Sequence, residues 1–411
     1  MKTKVSALQN GLPVIYNPMP NMETVGVVFA VDYGSIYETR ESNGCAHFLE
    51  HMLYRGTDRW KTGADVKNAF AYLCGSGNFN GMTGKEIMLY LGKVHKSMFS
   101  DLSDLLSNII TSSRLDPEDV EIERGAIVNE NLMKKDNTVK SARWAIDETL
   151  FQGHPAGLRT IGDDNSIQNL ITADMVKRTY REYFTPDNSV LVIYGAVPEK
   201  EILESAENYF GKLSGKFAGR TIEPVSPDNM SNEVVVKKTG LNQAMVARAL
   251  KLPVYSAKTK IELAAVDILA KVLERNLYAK IREERGMAYS LGVSNDNGRN
   301  YSCILSLVGT QPENVDTVKK ILSDEMTSLS NGEFSIESAD KIKKQTIIEN
   351  KINLAEKTME SAIQTAFNYV ITKDPFFTEE TPEMYGSLTL DSLRGACKYF
   401  NPERSLSLVI M

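Results

Sequence analysis

The chain has 411 residues, 42% of them hydrophobic, a formal net charge of −6 and only four histidines. That length allows two or three domains with packed cores, while the acidic balance argues against nucleic acid, whose binders carry a basic stripe, and gives no attraction to an anionic membrane surface. No stretch is apolar for long enough to span a bilayer, and Cys45, Cys74, Cys303 and Cys397, with no CxxC pair among them, read as buried thiols of a reducing, cytoplasmic compartment.

The opening MKTKVSALQNGLPVIYNPMP has its apolar run broken by Gln9, Asn10, Gly11 and Pro13 and does not read as a secretory leader. TVGVVFAVDYGSIYE (24–38) predicts a buried strand that ends at a glycine turn. ESNGCAHFLEHML then turns helical, with Ala46, Leu49 and Leu53 spaced by three and four. A helical tract runs from His95 to about Thr111, and another opens in LDPEDVEIERGAIVNENLMKK with Asp116 as N-cap and Pro117 at the first helical position. SVLVIYGAV (189–197) predicts a strand, and residues 211–232 are rich in Gly, Pro and Ser, as a linker is.

The second half then begins again. A shift of 218 residues lays NQAMVARALKLPVYS (242–256) on TVGVVFAVDYGSIYE, and a helical run, KIELAAVDILAKVLE, follows in register. Ala265, Ile268 and Leu269 then stand where His47, Glu50 and His51 stand. The expectation is an α+β protein of two structurally similar domains, residues 1–213 and 233–411 joined by a linker at 214–232, with a polar site in the first domain alone. Two unrelated α+β domains are the plainer alternative.

That site centres on HFLEH. Residues four apart project from one face of a helix, so the imidazoles of His47 and His51 can reach a single ion, with Glu50 on the same side to hold a water. Zinc is the ion that suits two imidazoles, a carboxylate and an open position, and H-x-x-E-H is a catalytic-metal signature. The bland reading is a pair of core histidines bound to a glutamate. A third ligand is needed, and His95, in LGKVHKSM, and His154, in the loop FQGHPAG, are poorly placed to supply it. On the helix after Pro117, Val120, Glu123, Ile127 and Glu130 form one stripe, so two carboxylates share a face with two apolar residues. Burying them is costly unless a cation or hydrogen-bond donors meet them.

These residues carry a resemblance. The sequence resembles the pitrilysin (insulinase) family of zinc peptidases, and most its small members of the mitochondrial processing peptidase type. The likeness runs through nearly the whole chain: LQNGLPVIYNP, GSIYETRESNGCAHFLEHMLYRGT, GNFNGMTGKE, HPAGLRTIG and KIREERGMAYSLGVS. It implies two domains, each an antiparallel-rich sheet with helices packed on one side, forming half of a clam-like chamber. It implies one zinc per chain, held by His47, His51 and Glu130, the glutamate seven residues after the Glu123-Arg124 pair and 79 past His51. By the same resemblance Glu123 orients a ligand histidine and Glu50 is the general base. Asn80 and Gly81 line the substrate cleft, with Gly81 in place of the usual alanine, and Arg282 and Tyr289 polarise the scissile carbonyl. ERNLYAK replaces the usual Gly-Ser-rich stretch before them. The implied activity is endoproteolysis of extended peptides, by a homodimer whose sites are completed in trans. The rival is a non-catalytic or partner subunit of a hetero-oligomeric processing peptidase.

Overall fold

Apolar runs, buried continuously in the central strands, set β1 (Lys4–Ala7), β2 (Pro13–Pro18), β3 (Thr24–Val31), β4 (Phe79–Thr83), β5 (Met88–His95) and β6 (Ser189–Gly195), and later β7 (Asn232–Val236), β8 (Ala244–Lys251), β9 (Ser290–Asn297), β10 (Ser302–Thr310) and β11 (Leu406–Ile410). Between β3 and β6 lie the helices α1 (Cys45–Leu53), α2 (Gly63–Cys74), α3 (Phe99–Thr111), α4 (Pro117–Asp136), α5 (Thr138–Leu150) and α6 (Ala173–Tyr183). After β6 come α7 (Glu199–Phe210), α8 (Lys260–Leu277), α9 (Val315–Ser330), α10 (Ile336–Glu356) and α11 (Thr358–Thr372). The computed structural model describes residues 2–75, 77–228, 231–237 and 243–411. Positions 229 and 230 of the expected linker, and Asn242 at the head of the expected repeat, lie outside them. No helix among the described residues is long and apolar enough to cross a membrane.

Two sheets form, in the orders β1-β2-β6-β3-β5-β4 and β7-β11-β8-β10-β9. Their central pairings are antiparallel, and each holds one parallel pair, β2 with β6 and β7 with β11. Setting β2, β6, β3, β5 and β4 against β7, β11, β8, β10 and β9 reproduces order and direction, so the halves are structural duplicates. α1 follows β3 as α8 follows β8, and Ala265, Ile268 and Leu269 of α8 are wholly buried in an apolar core.

The compact units are not the contiguous halves expected from sequence. The first comprises Met1–Leu132, Leu158–Ile222 and Lys351–Glu380, and the second Met133–Gly157, Glu223–Asn350 and Thr381–Met411. The change at 222/223 falls within the expected linker, but each unit also takes a helix from the other half of the sequence. The reason is that a central strand has two apolar faces to cover. On β3, Phe29 stacks on Phe210 of α7 at 5.9 Å, whereas Val28 and Ala30 pack with Met359, Ala362 and Ala366 of α11. Gly26 makes that seat possible, since a Cβ there would stand 2.9 Å from the Met359 backbone. In the second unit α8 and α9 cover one face, and α5 packs across β8 and β11.

Within the first unit α1 is held from its N-terminus. Gly44 takes φ 97° there, in the left-handed region that favours glycine. The buried carboxylate of Glu38 accepts from the amides of Gly44 and Ala46, both at 2.7 Å, and from the side chain of Asn43 at 3.0 Å. Asn43 also donates to the Arg159 carbonyl at 2.8 Å. The GSIYE and HPAGLRTIG segments thus seat the helix that carries the histidines.

Candidate metal centre

On α1 the rings of His47 and His51 lie 4.7 Å apart, and α4 runs beside them. Glu130 Oε2 stands 3.6 Å from Nε2 of each histidine. Ligand atoms of the three residues all lie within 4.8 Å of one another, the one such cluster of metal-binding side chains among the described residues. A separation of 3.6 Å is long for a hydrogen bond but suits ligands of one ion: two donors at about 2.0–2.1 Å from a tetrahedral zinc stand roughly 3.3 Å apart. His47 is buried and Glu130 is one-third exposed, which leaves the cluster open on one side. Two imidazoles and a carboxylate with an open position fit catalytic zinc.

The second carboxylate of the α4 stripe is engaged elsewhere. His51 Nδ1 donates to Glu123 Oε2 at 2.7 Å, which turns Nε2 toward Glu130 as the nitrogen that would bind an ion in place of its proton. Arg55 braces Glu123 at 3.2 Å and Asp119 at 2.7 Å. Burial opposes the His51 cation, yet the hydrogen bond to Glu123 and the nearby carboxylates of Glu130 and Glu50 outweigh it and push the imidazole up to about 9. Burial likewise opposes the Glu123 anion, and the bond to His51 still holds this carboxyl below its ordinary range. The neighbouring Arg124 reaches away from the cluster. Its guanidinium donates to the carbonyls of Ile167 and Ile171 and lies 5.4 Å over the Phe48 ring, clamping α4 to α1.

Glu50 points at the edge strand β4, whose alternation turns Phe79, Gly81 and Thr83 inward and leaves Asn80 and Met82 exposed. Asn80 and Gly81 therefore lie on opposite faces of the strand. Gly81 backs onto Glu50: a Cβ there would come within 2.8 Å of its Cγ and Oε1. The Thr83 hydroxyl donates to Glu50 Oε2 at 2.5 Å.

Arg282 and Tyr289 belong to the second unit. Arg282 sits in a π-helical turn, Tyr278–Glu283, that continues α8, and Tyr289 immediately precedes the edge strand β9. Arg282 donates to the Tyr289 carbonyl at 3.3 Å, and the Tyr289 hydroxyl meets the Gln311 side chain. The other two histidines lie outside the cluster. His95 ends β5 and pairs with Glu23 at 3.3 Å, while His154 meets the Glu223 carbonyl at 2.8 Å. Sequence reasoning missed Arg55, Thr83 and Glu38. Arg55 follows His51 by four residues and Thr83 follows Gly81 by two, so helical and strand spacing carried the signal for both.

The model of the insulinase family (peptidase family M16) matches residues 14–164, and that of the peptidase M16 inactive domain matches residues 170–346. An uncharacterised zinc protease of Streptomyces coelicolor is 27% identical over 333 residues, 78% of this chain and 70% of that protein. The mitochondrial-processing peptidase subunit beta of Neurospora crassa is 28% identical over 259 residues, 61% of this chain, and the match spans 52% of its length. The crystal structure of a protease from Helicobacter pylori superposes with a TM-score of 0.91 at 22% identity, covering 100% of this chain and 99% of that one. With family models over both halves, zinc proteases among its relatives and a shared fold, the chain belongs to the insulinase family of peptidases, M16.

Proposed function

We propose that the protein is a zinc-dependent endopeptidase acting on extended or unstructured peptides, with one zinc per chain. The observation that carries the reading is the convergence of His47, His51 and Glu130, with Glu50 beside them on α1. Zinc, when bound by these three, supplies a Lewis acid that lowers the pKa of water toward ~7 and polarises a carbonyl. Glu50 takes the proton of the attacking water and returns it to the leaving amine, so no acyl-enzyme is needed. Glu123 keeps the His51 ring turned to the ion through Nδ1. Arg282 and Tyr289 donate to the scissile carbonyl oxygen as negative charge develops on it. An extended peptide pairs with the open edge of β4, next to Glu50, and residues Asn80 and Gly81 line its path.

Arg282 and Tyr289 act in trans in this reading, each site of a homodimer drawing on both chains, within a closed chamber. The four cysteines are buried and none is in a disulfide, which supports a reducing, cytoplasmic setting. Similarity to a mitochondrial-processing subunit favours a second reading, a non-catalytic or partner subunit of a hetero-oligomer. His47, Glu50, His51 and Glu130 are all present, which favours the first. Metal analysis of the purified protein, with a panel of unstructured peptides, tests the two. About one zinc per chain with chelator-sensitive cleavage is expected; zinc without cleavage until a related subunit is added supports the second.

A further inference from the structure

We propose that Thr83 is the positioning residue for Glu50. The proposal rests on the reading of Glu50 as the general base. A glutamate on a helix turns about three side-chain bonds, and a proton acceptor must be held in place to work at full rate. Thr83 Oγ1 donates to Glu50 Oε2 at 2.5 Å, which occupies one carboxylate oxygen and leaves Oε1 to take a proton. Oε1 in turn lies against the β4 backbone at Gly81, where a Cβ would stand 2.8 Å from it. Gly81 and Thr83 are two apart on a strand, so both face Glu50, while Asn80 and Met82 face away. β4 is the outermost strand of its sheet. The backbone that an incoming peptide would pair with is therefore the same backbone that aligns the base.

The test compares Thr83→Val, Thr83→Ser and Glu50→Gln for zinc content, kcat and KM on one cleaved peptide, with crystal structures of the wild type and Thr83→Val. Thr83→Val should keep its zinc and its KM while kcat falls roughly 10- to 100-fold. Thr83→Ser, which restores the hydroxyl, should stay within about threefold of wild type. Independently of turnover, Glu50 should bond to Thr83 in the wild-type crystal and swing away from β4 in Thr83→Val. Wild-type kcat in Thr83→Val overturns the proposal, as does an unmoved Glu50. Normal turnover by Glu50→Gln instead overturns the base assignment beneath it, whatever the crystals show.

Discussion

Glu123 and Glu130 lie two turns apart on one face of α4, and they meet the same imidazole at different nitrogens. Glu123 accepts from Nδ1 of His51 at 2.7 Å, whereas Glu130 stands 3.6 Å from Nε2. Their loss should therefore be felt differently. Glu130→Gln removes an anionic ligand and should abolish tight zinc binding with the circular dichroism unchanged; Glu123→Ala should weaken affinity by about 10–100-fold, as the loss of a partner to a ligand does. Equilibrium dialysis of both proteins decides, and full affinity in Glu130→Gln would transfer the third ligand to Glu123. Glu50→Gln should hold its zinc and lose roughly 10²–10⁴ in kcat, because the amide keeps the shape but cannot accept the proton. The histidine pair and the carboxylate stripe were legible because helical spacing is local. Which carboxylate stands beside both Nε2 atoms was not, since that depends on how α4 is rotated against α1, a long-range matter on which the resemblance implied Glu130.

Helix α1 is held at its N-terminus by the buried carboxyl group of Glu38. Burial pushes the Glu38 carboxyl up from 4.5 to about 7, against the pull of the amides of Ala46 and Gly44 and of Asn43. The folded chain then holds this proton more tightly than the unfolded chain does. The resulting stability is full below about 4.5 and is lost as pH rises through about 7. Glu38→Gln stays neutral throughout, so its urea midpoint should gain on wild type between about pH 5 and pH 8. A constant gap over that range would mean that the carboxyl does not titrate there. At β3, Gly26→Val drives a side chain into the Met359 backbone, and overpacking of that kind costs about 1–3 kcal/mol, read as a lower melting temperature. β3, β6, α3 and the start of α4 were each legible from apolar runs, helical spacing or Pro117. The seat of α11 was not: an amphipathic pattern shows that a helix buries one face, but it does not name the sheet that receives it.

For the molecule as a whole, the duplicated topology puts Tyr289 just before β9 and Asn80 within β4, the equivalent edge strands of the two units. The trans reading can be tested by mixing two inactive homodimers, Glu50→Gln and Arg282→Ala/Tyr289→Phe, under conditions of subunit exchange. Each heterodimer then has one intact composite site, so up to roughly a quarter of wild-type activity should return. Proven exchange without recovery places every site within one chain. The duplication was legible in the order of elements at a shift of 218 residues, because strand and helix patterns survive where identities do not. The traded helices bear on how the protein is made. A ribosome releases β1 to β6 long before residues 358–372, so Val28, Ala30, Val190 and Val192 wait with one face uncovered until the chain is nearly finished. A fragment ending at residue 222 should aggregate, and co-expression of residues 351–380 should restore its solubility. The cluster of His47, His51 and Glu130, complete in sequence by residue 130, thus belongs to a unit whose sheet is covered on both faces only when residues 358–372 arrive, among the last events of synthesis.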